Sequence, residues 1–376
     1  MLLGNILTSS LIGLVDAFDL VEAKEDMEQV GNLERLHDNI SCFISDIEGI
    51  DNSRETALLK TTTKFNISSL AGTREGGRFT NIINLKRIND ILDLNSFLSA
   101  INTKLACGGH YIGCVETSEM RTRRILSKYI KPFAYLYLVG DFLFKRVFPK
   151  LPVLSKIYFA LTAGRNRVMT EVEVLGRLYY CGFKVVKKRK IDKYLVFVVQ
   201  KVEQKEEVFE KRYGPTLKLR RIGYKGKLIN VYKMRTMHAY SEYLQQYIYE
   251  KNKLAEGGKI HNDFRVTFFG KFMRKFWLDE LPMIYNLLKG QVKLVGVRPL
   301  SEHFLSLYPE DVKELRIQAK PGLIPPFYAD LPKTLEEVAA SEKRYIEAYK
   351  KAPLKTDMRY LSMALKNIFI DKARSK

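Results

Sequence analysis

The sequence contains no run of about 18 uncharged apolar residues, although 46% of its 376 residues are apolar. A chain of this kind is expected to build internal cores rather than fold through a bilayer. At about 150 residues per domain, its length suggests roughly two such cores. With 28% charged residues beside that apolar content, global disorder, a collagen-like fibre and a disulfide-stapled miniprotein are excluded. The run closest to a membrane-seeking segment is Ile130–Phe144, which is rich in aromatics but short, and Asp141 interrupts it. Met1–Leu20 is also apolar, yet it lacks a basic leader region and carries Asp16 and Asp19, so no signal peptide is expected.

The net charge of +21 is unevenly spread. Residues 1–120 hold 10 Lys+Arg and 17 Asp+Glu, a net of −7, which leaves +28 for residues 121–376. So basic a segment attracts phosphate, whether in a nucleotide sugar, a lipid headgroup, an anionic membrane surface or nucleic acid. Nucleic acid rests on charge alone, because neither a helix-turn-helix pattern nor an aromatic RNA-binding signature accompanies it. Cys42, Cys107, Cys114 and Cys181 show no zinc-type spacing and the five histidines are scattered, so all nine read as packing or surface residues in a reducing compartment.

The first 75 residues are acidic and weakly patterned. Gly72, Gly76 and Gly77 lack any phosphate-cradling spacing and read as a loop. Beyond them, Phe79–Leu85 reads as a strand, Leu92–Leu105 as a helix ended by Gly108-Gly109, and Tyr111–Val115 as a short buried strand. Glu171–Tyr180 reads as a helix stopped by Gly182; Val185-Val186 and Tyr194–Val199 then form a closing hairpin. Over roughly 79–202 this order resembles the C-terminal half of a class I methyltransferase domain. Neither the glycine loop nor the acidic ribose-binding residue of such enzymes is recognisable in 1–78, so the resemblance implies a partial Rossmann-like domain serving as a non-catalytic scaffold. The expected organisation is therefore α/β: a methyltransferase-like domain over 1–202, a charged linker at 203–212, and a second domain over 213–376 ending in amphipathic helices.

The second domain carries the chemistry. Asp279-Glu280 stands just before Leu281-Pro282 and an apolar helical stretch, and proline is favoured in a first helical turn. Both carboxylates are then expected at a helix N-terminus, where free N–H groups favour the ionised form that a carboxylate nucleophile needs. For an isolated Asp-x-x-Pro, plain helix capping by Asp279 is the simpler role. Arginines grip phosphate oxygens in a bidentate fork, and Arg274 and Arg298 flank this pair in sequence. Lys233 and Arg235 alternate with Tyr232 and Met234 as on a strand with a basic face. Asp263 and Arg265 suit an internal ion pair as well as a functional role.

These residues lie in an ordered series: Gly214-Pro215, Arg221-Ile-Gly223, Lys233-Met-Arg235-Thr-Met237, Asp263-Phe-Arg265, Arg274, Asp279-Glu280-Leu-Pro282, Asn286-Leu-Leu-Lys-Gly290, Gly296-Val-Arg298-Pro299 and Lys320-Pro-Gly-Leu323. Over about 214–330 the series resembles the bacterial sugar transferases, monotopic polyprenyl-phosphate phosphoglycosyl transferases that start capsule, exopolysaccharide and O-antigen synthesis. The resemblance implies an α+β catalytic domain in which Asp279 attacks a UDP-sugar to form a phosphosugar-aspartyl intermediate. Glu280 would then serve the attack of polyprenyl phosphate, and Asp279 would hold a magnesium ion. It also implies that Arg274, Arg298, Lys233, Arg235, Gly296 and Pro299 bind substrate. The implied location is peripheral, on the cytoplasmic face of the bacterial inner membrane, with glycosyltransferases as possible partners. The alternative is a non-catalytic nucleotide-sugar-binding or assembly subunit.

The sequence departs from the family in four places. The continuous apolar segment that usually precedes Gly-Pro is replaced by Tyr194–Val199 and the linker, Val297 stands where proline is common, Met283 where glutamine is usual, and Ile324-Pro-Pro326 follows Lys320-Pro-Gly-Leu. Two substitute membrane contacts are expected: the aromatic 130–148 stretch, and the stripe Met358, Leu361, Leu365, Ile368 and Phe369 with Arg359, Lys366, Lys372 and Arg374 around it.

Overall fold

The computed structural model describes residues 43, 55–72, 77–150, 154–205, 209, 211, 213–252 and 263–369. The apolar Met1–Leu20 segment, Cys42, Gly76, Lys372, Arg374 and part of the linker lie outside the described residues. The chain divides into two compact units, Met1–Lys211 and Arg212–Lys376.

The first unit is a mixed α/β layer. Its sheet holds β1 (Thr56–Leu59), β2 (Phe79–Asn84), β3 (Leu105–Val115), β4 (Phe183–Ile191) and β5 (Tyr194–Lys201), in the order β1-β2-β3-β5-β4. The first three strands are parallel; β5 runs antiparallel to both β3 and β4. A parallel neighbour needs a crossover, and α2 (Leu94–Lys104), which follows the short α1 (Lys64–Ser68), supplies it between β2 and β3. Asp93 caps α2 by accepting from the Ser96 amide at 3.1 Å. The middle of the sheet is sealed by Tyr111, Phe183 and Phe197, the last two with ring centroids 6.2 and 5.7 Å from that of Tyr111.

One expectation fails here. Gly108-Gly109 does not end the helix: α2 stops at Lys104, and β3 runs through both glycines. A Cβ on Gly109 would lie 2.7 Å from the Thr80 carbonyl oxygen, so this glycine lets β3 press against β2. Tyr194–Val199, where family members carry their apolar segment, is β5, a buried interior strand.

After β3 come α3 (Ser118–Lys128), α4 (Lys131–Phe142), α5 (Leu154–Thr162) and α6 (Glu171–Tyr180). The α6 helix begins at the Thr170 cap and gives way to Gly182 in the left-handed region, φ +85°.

The second unit opens with the hairpin β6 (Thr216–Ile222) and β7 (Leu228–Met234), followed by α7 (Gln245–Asn252), α8 (Phe268–Lys275), a single 3-10 turn (Leu278–Glu280) and α9 (Met283–Leu288). Strand β8 (Lys293–Val295) runs parallel to β9 (Gly322–Ile324), with α10 (Glu302–Ser306) and α11 (Glu310–Ile317) between them. The short α12 (Phe327–Asp330) and the long α13 (Leu335–Lys351) and α14 (Pro353–Phe369) complete the unit. Val295, Val297, Ala329, Tyr345, Ile346 and Tyr360 form the core under the β8–β9 pair. The expected apolar stripe of α14 divides: Leu361 packs on this core while Met358 and Leu365 face outward, so it is not a continuous membrane face.

Candidate active site

The site is assembled on β7 and the turn before α9. Buried Asn286 of α9 fastens the two together. Its Oδ1 accepts from the Tyr232 amide at 3.1 Å, and its Nδ2 donates to the Asn230 carbonyl at 2.7 Å and to Gln291 Oε1 at 2.7 Å. The Tyr232 and Tyr285 rings meet edge to face beside it. This clamp puts the 3-10 turn against β7, where Lys233 Nζ donates to Glu280 Oε1 at 2.6 Å. On the other side α8 brings Arg274 toward Asp279, and its Nε donates to Thr236 Oγ1 at 3.0 Å.

Two features of this approach were missed in the sequence. Gly270 is squeezed against the segment just after β7, since a Cβ there would sit 2.0 Å from the Thr236 carbonyl oxygen. Trp277 takes φ +56°, a conformation that a bulky residue rarely adopts, immediately before the turn that carries the dyad. It packs on Tyr328 with ring centroids 4.8 Å apart, and the chain reversal at Trp277 is what turns Asp279 and Glu280 out of the line of α8.

Neither carboxylate caps α9: Pro282 occupies that position, and the dyad lies in the 3-10 turn before it. A backbone N–H there does favour the ionised form of Asp279, as expected of a helical N-terminus, but other causes outweigh it. Burial pushes the Asp279 carboxyl above its ordinary value, the adjacent Glu280 charge adds to the rise, and Lys233 and Arg274 oppose it. A partly desolvated carboxylate beside a second one holds negative charge that a cation would relieve. Among the described residues there is no cluster of three or more His, Cys, Asp or Glu side chains suited to a metal. One or two carboxylates are enough for a magnesium ion that takes its other ligands from phosphates and water, so the donor set fits that use.

The remaining expected residues are placed differently. Arg235 Nε donates to the Gly214 carbonyl at 2.9 Å, and its guanidinium lies 4.7 Å from the centroid of the Tyr213 ring, so it fixes the Gly214-Pro215 entry to β6. Gly296 is small because another strand passes it: a Cβ there would lie 2.7 Å from the Lys320 carbonyl oxygen, and one on Gly322 would lie 2.1 Å from Gly296 N. The close approach that Gly296 allows within the chain is to β9. Arg298 and Pro299 follow on the loop to Leu300, whose carbonyl accepts from the Ile222 amide at 2.9 Å. Arg298 is exposed, and it joins burial in lowering the Arg221 pKa, which makes this like-charged pair a place where an anion is favoured. Arg221 was quoted in the motif series but not recognised as a candidate. Asp263 and Arg265 form the internal ion pair, with Oδ2 accepting from Nη2 at 2.7 Å and Oδ1 from Nε at 2.9 Å.

Residues 195–371 match the family model for bacterial sugar transferases. The C-terminal part of this chain is similar to that family. Among curated relatives, an undecaprenyl-phosphate galactose phosphotransferase of Salmonella typhimurium is 39% identical over 108 residues, which is 27% of this chain and 22% of that protein. The exopolysaccharide production protein ExoY of Sinorhizobium fredii is 36% identical over 109 residues, covering 28% of this chain and 48% of that protein. A UDP-galactose-lipid carrier transferase of Erwinia amylovora is 36% identical over 108 residues, 27% of this chain and 22% of its own length. The chain thus spans less than half the length of these relatives. An O-methyltransferase family protein from Burkholderia thailandensis aligns over 38% of this chain and 34% of its own, with a TM-score of 0.22 and 13% identity, too low to assign a fold to the first unit. The sugar transferase match takes in the dyad, Lys233, Arg274, Asn286 and Arg298, and stops short of most of the first unit.

Proposed function

We propose that the chain is a phosphoglycosyl transferase that moves a sugar 1-phosphate from a UDP-sugar to a polyprenyl phosphate, in the initiation of a surface or secreted polysaccharide. The observation that carries this reading is the Asp279-Glu280 turn, held between Lys233 and Arg274 inside a region similar to the bacterial sugar transferases. Asp279 Oδ attacks the β-phosphorus, the bond to the α-phosphate oxygen breaks, and UMP leaves. A polyprenyl phosphate oxygen then attacks the same phosphorus, releases the Asp279 carboxylate and forms the lipid diphosphate sugar. Glu280, oriented by Lys233, takes the acceptor phosphate's proton. Arg274 faces the charge that builds up at the transferred phosphoryl group, and Arg221 with Arg298 offers a further anion contact. Asp279 is the residue that would hold magnesium, which when bound neutralises the donor pyrophosphate.

An apolar margin supports the lipid half of the reading. Phe268 is 90% and Leu288 81% exposed, and Phe269, Phe272, Phe276, Leu281 and Ile284 are exposed between them, on and between the two helices that bracket the dyad. The test is UMP release from UDP-sugars by the purified chain with magnesium and detergent-solubilised polyprenyl phosphate. Asp279→Asn is expected to reduce it at least roughly 1,000-fold. Undiminished release by that variant would overturn the assignment of the nucleophile.

A further inference from the structure

Helix α4 of the first unit is built inside out. Its buried positions are Ala134 and Asp141, with Tyr137 and Leu138 half-buried on the same side, and that inner face carries the helix's acidic group. Asp141, only 6% exposed, accepts from Arg121 Nε at 2.9 Å and Nη2 at 2.7 Å. Arg121 in turn donates to Asn166 at 2.7 Å and to Glu116 at 3.4 Å, so a buried polar network fastens α4 to α3 and to the loop after α5. Asp141 therefore does not interrupt the apolar run as it meets solvent. It faces away from it.

What remains outside is apolar. Ile130, Phe133, Leu136 and Leu143 recur at helical spacing with Gly140, around which space is open, and Tyr135, Val139 and Phe142 lie beside them. Phe133 is 69% and Leu136 71% exposed. Ile157 and Leu161 of α5 add a second exposed apolar pair, and Phe144 joins the two helical segments by packing edge to face on Tyr158, 5.4 Å between centroids. From Pro132 to Phe144 the outward side chains carry no charge, while exposed Lys128 and Lys131 stand at one end of the run, half-buried Lys145 at the other, and exposed Lys156 on α5.

We propose that α4 with its exposed neighbours on α5 is a membrane-docking element that lies in the interfacial layer of an anionic phospholipid bilayer. An uncharged outer face of this length suits the acyl boundary, tyrosines suit the headgroup level, and lysines at the ends pair with lipid phosphates while their stems stay apolar. The charge sign decides the occupant. An exposed apolar face ringed by lysine is matched by a negatively charged lipid surface, and the basic balance of residues 121–376 points the same way. The proposal deepens the lipid-acceptor reading above and rests on it for its purpose, though its structural evidence comes from the first unit alone.

The test is flotation of the full chain with vesicles of equal parts phosphatidylcholine and phosphatidylglycerol. The wild type is expected to float, and the double substitution Phe133→Ser with Leu136→Ser to lose roughly tenfold or more of its partitioning. Both proteins are expected to melt at the same temperature and to release UMP equally from detergent-solubilised acceptor. That last assay reports on the enzyme reading separately, so loss of vesicle binding with UMP release retained separates the two. Leu136→Trp provides an independent readout that keeps the face apolar: its emission, read against that of Trp277, should shift to the blue when vesicles are added. Equal flotation of wild type and double variant, failure of the wild type to float, or no blue shift would each overturn the proposal. So would a wild-type dimer that the double substitution splits without any change in flotation, which would assign the face to a second copy of this chain.

Discussion

Asp279 is a nucleophile candidate whose surroundings work against its charge. Burial and Glu280 raise its pKa, and Lys233 and Arg274 hold the rise in check. The reactive form is the carboxylate, so the acid limb of kcat/KM for UMP release should lie above the ordinary aspartate range. Removing a cause moves the limb in a known direction. Glu280→Gln takes away a charge that raises the pKa, and in single-turnover UMP release its limb should shift to lower pH. Lys233→Met takes away a charge that lowers it, and its limb should shift to higher pH. Shifts in the opposite senses would show that the two side chains do not act on Asp279 electrostatically. The same raised pKa has a stability consequence. The folded chain holds the Asp279 proton more tightly than the unfolded chain, so this contribution to stability is present at low pH and lost as pH rises through the folded pKa. At neutral pH Asp279→Asn removes that cost, and the variant should melt no lower than the wild type.

At the scale of elements, the dyad is located by α9 and β7, and Asn286 joins them. Replacing it with alanine takes away a fully buried side chain and leaves the part-buried Tyr232 amide and Asn230 carbonyl without their partner, at a cost of about 2 kcal/mol in denaturant unfolding. Activity should fall with it, because Glu280 loses its register on Lys233. A stability loss below about 1 kcal/mol would mean that the hairpin and α9 are held by other contacts. The sequence made the strand spacing of Lys233 legible, and the apolar run after Pro282 announced α9, so the dyad, its lysine and Arg274 could be named in advance. The left-handed turn at Trp277 could not, because nothing local in a tryptophan announces φ +56°. Glycines misled for a related reason. Gly109 and Gly296 are small because another strand passes within reach, at the Thr80 and Lys320 carbonyls, and such contacts appear only once distant segments are brought together. Asp141 misled in the same way: as a letter it breaks an apolar run, and as a side chain turned toward Arg121 it leaves the run's outer face whole.

For the whole molecule, the decisive quantity is a net charge of +21 that few sites consume. Arg274, Arg298 and Arg221 have a proposed phosphate to meet, and Lys233, Arg121, Arg177, Arg265 and Arg316 pair with internal carboxylates. The net excess of positive charge acts as a field, which salt screens within about 8 Å at physiological strength. An apolar contact is not screened in that way, so salt separates the two forces that would hold the chain to a bilayer. As sodium chloride rises from about 50 to about 500 mM, flotation of the wild type with phosphatidylglycerol vesicles should fall to a plateau above zero. The Phe133→Ser, Leu136→Ser protein should start lower and reach background, because only the field attracts it. A wild-type curve that also reaches background would mean that the basic surface alone attracts the lipid and that α4 stays out of it. A plateau retained by both proteins would place the apolar contact elsewhere, with the Phe268–Leu288 margin beside the dyad as the next surface to substitute.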